Sequence, residues 1–165
     1  MYLLDTGVVA ELRNARAGRT DPGLAAWATG VARHSLFISA LTLLELESGA
    51  AVLAIKDPAA GAARMAWIEQ QVLTAFEGRI LPVDVAVVRR RGQMAYASAR
   101  DGLLAATAVE HALTLVTRNL AAFRVGKVKT FNPWGFTPEV VEDDADWGLA
   151  GKAGPMWLRN LFVRS

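Results

Sequence analysis

Apolar positions along this chain fall into two rhythms, short uninterrupted runs and longer stretches at helical spacing, and the two alternate. Tyr2-Leu3-Leu4 is a short run that ends in Asp5-Thr6, and Val8 to Arg13 then has helical character, which predicts strand, turn and helix with Asp5 at the strand's carboxyl end. Arg16 to Pro22 is a loop rich in Gly, Arg and Asp. Leu24, Ala25, Ala28 and Val31 keep helical spacing up to about His34, with Trp27 as packing bulk. Leu36-Phe37-Ile38 predicts a second strand, after which Ser39 caps a helix to about Ile55 whose apolar character on nearly all sides predicts burial.

Asp57-Pro58 opens a further helix that carries Met65, Trp67, Ile68, Val72 and Phe76 and stops at Gly78. Arg79 to Val83 reads as a third strand, and Asp84 caps a helix reaching Tyr96. Ser98 to Asp101 reads as a break, followed by a small-residue helix to Ala112, a strand over Leu113 to Val116 and a final strand over Val128 to Phe131. Short strands alternating with longer helices define an α/β protein with a mostly parallel sheet of four to five strands, flanked by helices on both faces. In such sheets functional sites gather in the crevice beyond the carboxyl ends of the strands. Asp5 follows the first strand, Glu45 lies about two turns into the helix after the second, and Asp101 starts the helix before the fourth, so all three can reach that crevice.

Composition narrows the chemistry. The 165 residues are 53% hydrophobic and contain no cysteine, which removes disulfides, thiolate metal sites and cysteine nucleophiles and is compatible with a reducing compartment. No apolar run reaches the roughly 18 residues of a membrane span, and an acid at position 5 comes too early for a signal peptide, so a soluble cytoplasmic protein is expected. Residues 1–136 carry 15 Lys and Arg against 11 Asp and Glu, whereas residues 137–165 carry 3 against 5. A modestly basic body suits an anionic partner such as RNA, and a solvated surface explains the same balance. The acids of the tail, from Glu139 to Asp146, have no evident scaffold, so 137–165 is expected to be a flexible or partly docked extension of a domain over 1–136.

Asp5, Glu45 and Asp101 brought together would make a hard oxygen site for Mg²⁺ or Mn²⁺, because crowded carboxylates become tolerable when a cation neutralises them. Such an ion suits phosphodiester hydrolysis. Taken singly, each acid has a plainer reading: a helix cap for Asp101, a turn residue for Asp5, a surface acid for Glu45. Asp5-Thr6-Gly7 is also the tripeptide of aspartic proteases, which are all-β and use two copies, unlike this helix-rich chain with one. Thr117-Arg118-Asn119 follows a strand, and Arg118 there suits a phosphate or serves an ordinary strand-to-helix turn. Arg89-Arg90-Arg91 either grips an RNA backbone or forms a solvated helix face. His34 and His111 read as surface or capping residues, and the five tryptophans as core or interface bulk.

Five stretches in order carry a resemblance: Leu3-Leu4-Asp5-Thr6, Ile38-Ser39-Ala40-Leu41-Thr42-Leu43-Leu44-Glu45-Leu46-Glu47, Asp101-Gly102-Leu103-Leu104-Ala105-Ala106-Thr107-Ala108, Leu115-Val116-Thr117-Arg118-Asn119 and Phe131-Asn132-Pro133-Trp134. Together they resemble PIN-domain proteins, and more narrowly the VapC toxins of VapBC toxin-antitoxin pairs in their FitB-like subgroup. The resemblance covers residues 1 to about 136. It implies a PIN-like three-layer fold and a Mg²⁺- or Mn²⁺-dependent endoribonuclease that cuts tRNA or ribosomal RNA and stops translation. It also implies a homodimer and a VapB-like antitoxin, through which alone the complex binds DNA. Asp5, Glu45 and Asp101 occupy the family's acidic positions as metal ligands, with Thr6, Ser39, Thr117 and Arg118 as supporting or phosphate-contacting groups.

Two positions depart from that pattern. Asn119 stands where the family often has a fourth acid, leaving a neutral oxygen that assists through water and a weaker second metal position. Gly7 stands where the family usually has Asn, and the missing amide removes support around Asp5. These departures favour an alternative reading, a catalytically weakened PIN module that acts mainly within a DNA-bound toxin-antitoxin repressor complex.

Overall fold

A computed structural model describes residues 1–15 and 18–137. Of the extension expected over 137–165, all but Thr137, including the acidic patch and the last apolar segment, lies outside the described residues. Five strands form one sheet in the order β3-β2-β1-β4-β5, with β1 at Tyr2–Leu4, β2 at Leu36–Ser39, β3 at Ile80–Leu81, β4 at Thr114–Val116 and β5 at Thr130–Phe131. Every pairing is parallel, with Leu3 beside Phe37 on one side and Leu115 on the other, so the sheet is parallel throughout rather than mostly. Neither Leu3 nor Leu4 exposes any surface, as expected for a strand covered on both faces.

Leu3 and Leu4 point to opposite faces and thereby seed two cores. Leu4 joins Val8, Val9 and Leu12 of α1 (Thr6–Leu12), Leu24 and Trp27 of α2 (Pro22–Gly30), and Leu46 and Ala50 of α3 (Ala40–Lys56). The same core takes Trp67 from α4 (Pro58–Trp67) and Ile68 and Val72 from the π-helical turn Ile68–Val72, which leads into the single-turn α5 (Leu73–Ala75). On the other face Leu3 packs with Leu115, Tyr96 and Phe123 and with Leu104, Ala105 and Ala108 of α7 (Ala99–Glu110). Helix α6 (Val85–Gly92) covers that side and packs against α7. Helix, sheet and helix give the three layers expected from the alternating pattern.

Most element boundaries follow local chemistry. Asp21, Asp57 and Asp84 each cap the helix they precede, accepting from the backbone N–H of Leu24, Ala60 and Val87. Gly78 adopts φ +69°, a left-handed conformation that glycine takes without a Cβ clash, and the chain turns there toward β3. Three expectations are corrected. Helix α3 is not buried on nearly all sides: Leu44, Val52 and Ile55 are 57%, 60% and 83% exposed, because the helix lies in an outer layer and turns only the face of Thr42, Leu46 and Ala50 inward. The helix after Asp84 ends at Gly92, short of Tyr96, since the backbone carbonyls of Met94 and Tyr96 turn back to bind the Arg91 guanidinium. The stretch from Ser98 to Asp101 is no break, for α7 begins at Ala99 with the Ser98 side chain accepting from Asp101 N–H.

Helices α3 and α4 pack against each other, with Gly61 lying against Ala54. A Cβ at Gly61 would run into both the backbone and the side chain of Ala54, so the glycine sets the spacing of the pair. Gly61→Ala is expected to lower stability by about 1–3 kcal/mol, the cost of overpacking a close contact, measured as a reduced urea midpoint with an unchanged m-value.

Candidate active site

The sheet order reverses at β1, whose neighbours β2 and β4 lie on either side, and the crevice beyond the ends of β1 and β4 is the expected site in such topology. Asp5 terminates β1. It occupies the N-cap position of α1, yet its side chain makes no capping bond. One carboxylate oxygen, Oδ1, instead accepts from the Arg100 guanidinium at 2.7 Å, and Oδ2 accepts from the Thr117 hydroxyl at 2.8 Å. Asp101 likewise leaves capping to Ser98 and takes a 2.7 Å bond from Arg100. Of the acids at helix starts, then, Asp21, Asp57 and Asp84 do the local work of capping, while Asp5 and Asp101 turn away from it and toward each other's guanidinium partner.

Glu45 arrives from the opposite layer on α3. Its carboxylate accepts from Arg100 Nε and from the Thr6 hydroxyl, and at 3.0 Å from Arg100 Nη2. An ionised group half-hidden in an apolar helix is costly without compensation, and here the compensation is explicit. The Thr42 hydroxyl donates to the carbonyl of Leu4 at 3.4 Å, fastening the first turns of α3 to the end of β1 and so setting Glu45 opposite Asp5. Three carboxylates from three elements thus converge on one guanidinium, which leaves the pocket with more negative than positive charge. Hydrogen bonding to Glu45 above all, and then to Asp101 and Asp5, raises the Arg100 pKa above its ordinary value against the opposing effect of burial.

The sequence reading singled out Asp101 and overlooked its neighbour Arg100. A signal was available: a cation in the first turn of a helix opposes the positive end of the helix dipole, so its presence there calls for nearby anions. The remaining candidates divide. Thr6 and Thr117 bind the carboxylates directly. Asn119 reaches the cluster only through its backbone N–H, which donates to the Thr117 hydroxyl at 3.1 Å, while its side-chain oxygen accepts from Ala122 N–H and caps the 3₁₀ segment Leu120–Gly126. Ser39 is fully buried and caps α3 through Leu41 N–H, so it supports Glu45's helix rather than touching the acids. Arg118 stacks over Trp134 with its guanidinium carbon 5.7 Å from the ring centroid. Within Arg89-Arg90-Arg91, Arg90 pairs with Glu110 at 2.9 Å and Arg91 binds backbone carbonyls, whereas Arg89 makes no such bond among the described residues.

The donor set fits a divalent cation of the hard class. It offers carboxylate oxygens alone, already gathered around one positive charge, with hydroxyls fixing two of the carboxylates from behind. Among the described residues, no three acidic or histidine side chains are drawn close enough to cage a metal. Open space surrounds Gly7, so packing does not require glycine there.

Residues 2–128 match the PIN domain profile, and the chain belongs to the PIN-domain family. Within it, the chain is 36% identical over 143 residues to Toxin FitB of Neisseria gonorrhoeae, covering 81% of this chain and 99% of that protein. It is 34% identical over 145 residues to VapC ribonuclease Y4jK of Sinorhizobium fredii, covering 81% and 98%. Among solved structures, FitAB bound to an IR36 DNA fragment superposes with a TM-score of 0.72 at 32% identity, covering 84% of this chain and 99% of that one. The resemblance drawn from the five motifs is therefore correct at the level of family and fold.

Thr117 has no exposed surface, and its hydroxyl serves both Asp5 and the Asn119 backbone. Thr117→Val preserves shape while removing both bonds, and is expected to destabilise the protein by about 1.5–3 kcal/mol, the range for a buried bond to a charged group, read from chemical denaturation.

Proposed function

We infer that this chain is the toxin of a type II toxin-antitoxin pair and acts as a metal-dependent endoribonuclease on RNA phosphodiester bonds. The observation that carries the reading is the convergence of Asp5, Glu45 and Asp101 from three separate elements on a single cation position. Family membership and likeness to a protein named a ribonuclease support it. Asp5, Glu45 and Asp101 would hold Mg²⁺ or Mn²⁺. Bound there, such an ion lowers the pKa of a coordinated water and offsets charge on the phosphodiester.

The chain's own residues account for the positioning. The Thr117 hydroxyl holds Asp5 Oδ2 and so aims Oδ1 into the pocket, and Thr6 does the same for Glu45. Both are preorganised by backbone: Thr117 directly follows β4 and Thr6 begins α1. Arg118, next to Thr117 in the chain and lying over the Trp134 ring, suits contact with an RNA phosphate. Cleavage of tRNA or ribosomal RNA in the cytoplasm would stop translation, and a VapB-like antitoxin bound to a homodimer of this chain would silence it and carry the complex to DNA. Residues 1–136 form the nuclease body in this reading.

One observation favours a second reading, a weakened PIN module working mainly in the DNA-bound complex. The Asn119 side chain is committed to capping and adds no charge to the pocket. Incubation of the purified chain with tRNA and ribosomal RNA, with and without Mn²⁺, followed by mapping of the RNA ends, separates the two. Cleavage at a defined site that needs the metal is expected. Asp101→Asn should reduce that cleavage about 100-fold or more and relieve growth arrest while far-UV circular dichroism stays unchanged. Retained cleavage in Asp101→Asn, or none in the unaltered chain, removes the nuclease reading.

A further inference from the structure

We propose that Arg100 is a tethered counter-ion standing in the divalent cation's place, so that its guanidinium must withdraw from Asp5 and Glu45 before the ion can load. The inference rests on the metal-nuclease reading of the same site.

Four observations lead to it. First, Arg100 engages four of the six ligand oxygens: it binds Asp5 Oδ1, both oxygens of Glu45 and Asp101 Oδ1, while Thr117 binds Asp5 Oδ2. A small divalent ion needs several such oxygens at about 2.0–2.1 Å, a distance at which no guanidinium proton fits between ion and oxygen. Second, among the described residues all of its hydrogen bonds go to these carboxylates and none to backbone carbonyls, in contrast to Arg79 and Arg91, which are structural clamps on carbonyl oxygens. Third, Arg100 lies in the first turn of α7, where the helix dipole disfavours a cation, so the acids alone account for its pose. Fourth, its side chain is 38% exposed, and rotation of a long flexible stem takes the guanidinium to solvent without moving the backbone.

The consequence is a competition that can be read in binding. If the guanidinium-out conformer is a minor state of about 0.1–10%, the apparent affinity for the ion falls by that fraction. Removing the guanidinium should restore it. Arginine in the pocket also keeps the three acids compatible with one another when no ion is bound, so the same residue stabilises the metal-free protein and resists loading.

The test is Mn²⁺ binding to the full-length chain at pH 7.5, by calorimetry or by the paramagnetic signal of free Mn²⁺, with thermal unfolding in parallel. Arg100→Gln is expected to bind Mn²⁺ about tenfold or more tightly than the unaltered chain. Without metal it should melt at a lower temperature, a deficit that saturating Mn²⁺ narrows. Arg90→Gln removes the same charge from the Glu110 pair outside the cluster and should leave the affinity unchanged, which separates direct competition from net charge. Arg100→Lys keeps the charge on fewer donors and should fall between; it decides the matter if Arg100→Gln does not fold. Mn²⁺ binding that is lost in Asp101→Asn but equally tight or weaker in the Arg100 variants overturns the inference and leaves the metal site standing. No Asp101-dependent binding in any variant overturns both.

Discussion

Repulsion among three carboxylates is the constraint on which this structure turns. Like charges gathered in a partly desolvated pocket repel one another, and domains are stable by a margin narrow enough for such repulsion to matter. Asp5, Glu45 and Asp101 are nevertheless assembled from β1, α3 and α7, and Arg100 supplies the opposite charge that makes the assembly tolerable. Each of the other choices around the site follows from that demand. Ser98 does the capping at α7 so that Asp101 is spared, Thr6 and Thr117 take up the carboxylate oxygens that Arg100 shares or leaves, and Thr42 ties α3 to the strand that carries Asp5.

The pocket also joins the two cores. Asp5 belongs to the sheet, Glu45 hangs from the layer built around Leu4, and Asp101 from the layer built around Leu3. Their mutual distances are therefore set by how both helical layers pack on β1, not by any one loop. Small residues on the inward face of α7, among them Ala105, Ala106 and Ala108, let that helix lie close to the sheet, and close packing of this kind transmits small shifts. A change in either core is felt at the carboxylates.

Much of this was legible in the chain. The alternation of short apolar runs with helical stretches marked all five strands in order, and the acids at the ends of β1 and near the starts of α3 and α7 were identifiable as a set. Three things were not. Apolar richness in α3 was read as burial on every side, but Leu44, Val52 and Ile55 show that composition does not report which face of a helix meets a neighbour. Taken singly, Asp101 reads as a cap and Asp5 as a turn residue, because position along the chain is visible in sequence and side-chain direction is not. Arg100 passed unnoticed beside Asp101 because its partners Asp5 and Glu45 lie 95 and 55 positions away, a relation that only the fold creates.

The outermost strands, β3 and β5, are two residues each, and both run almost at once into proline, Pro82 after Ile80-Leu81 and Pro133 after Thr130-Phe131-Asn132. A residue without a backbone N–H ends a hydrogen-bonding ladder, and two residues offer too little of one for another chain to read. The sheet is in this sense sealed at both sides. Among the described residues, growth by strand addition finds only two residues of ladder at either edge, and the helices and loops offer a partner the larger surface.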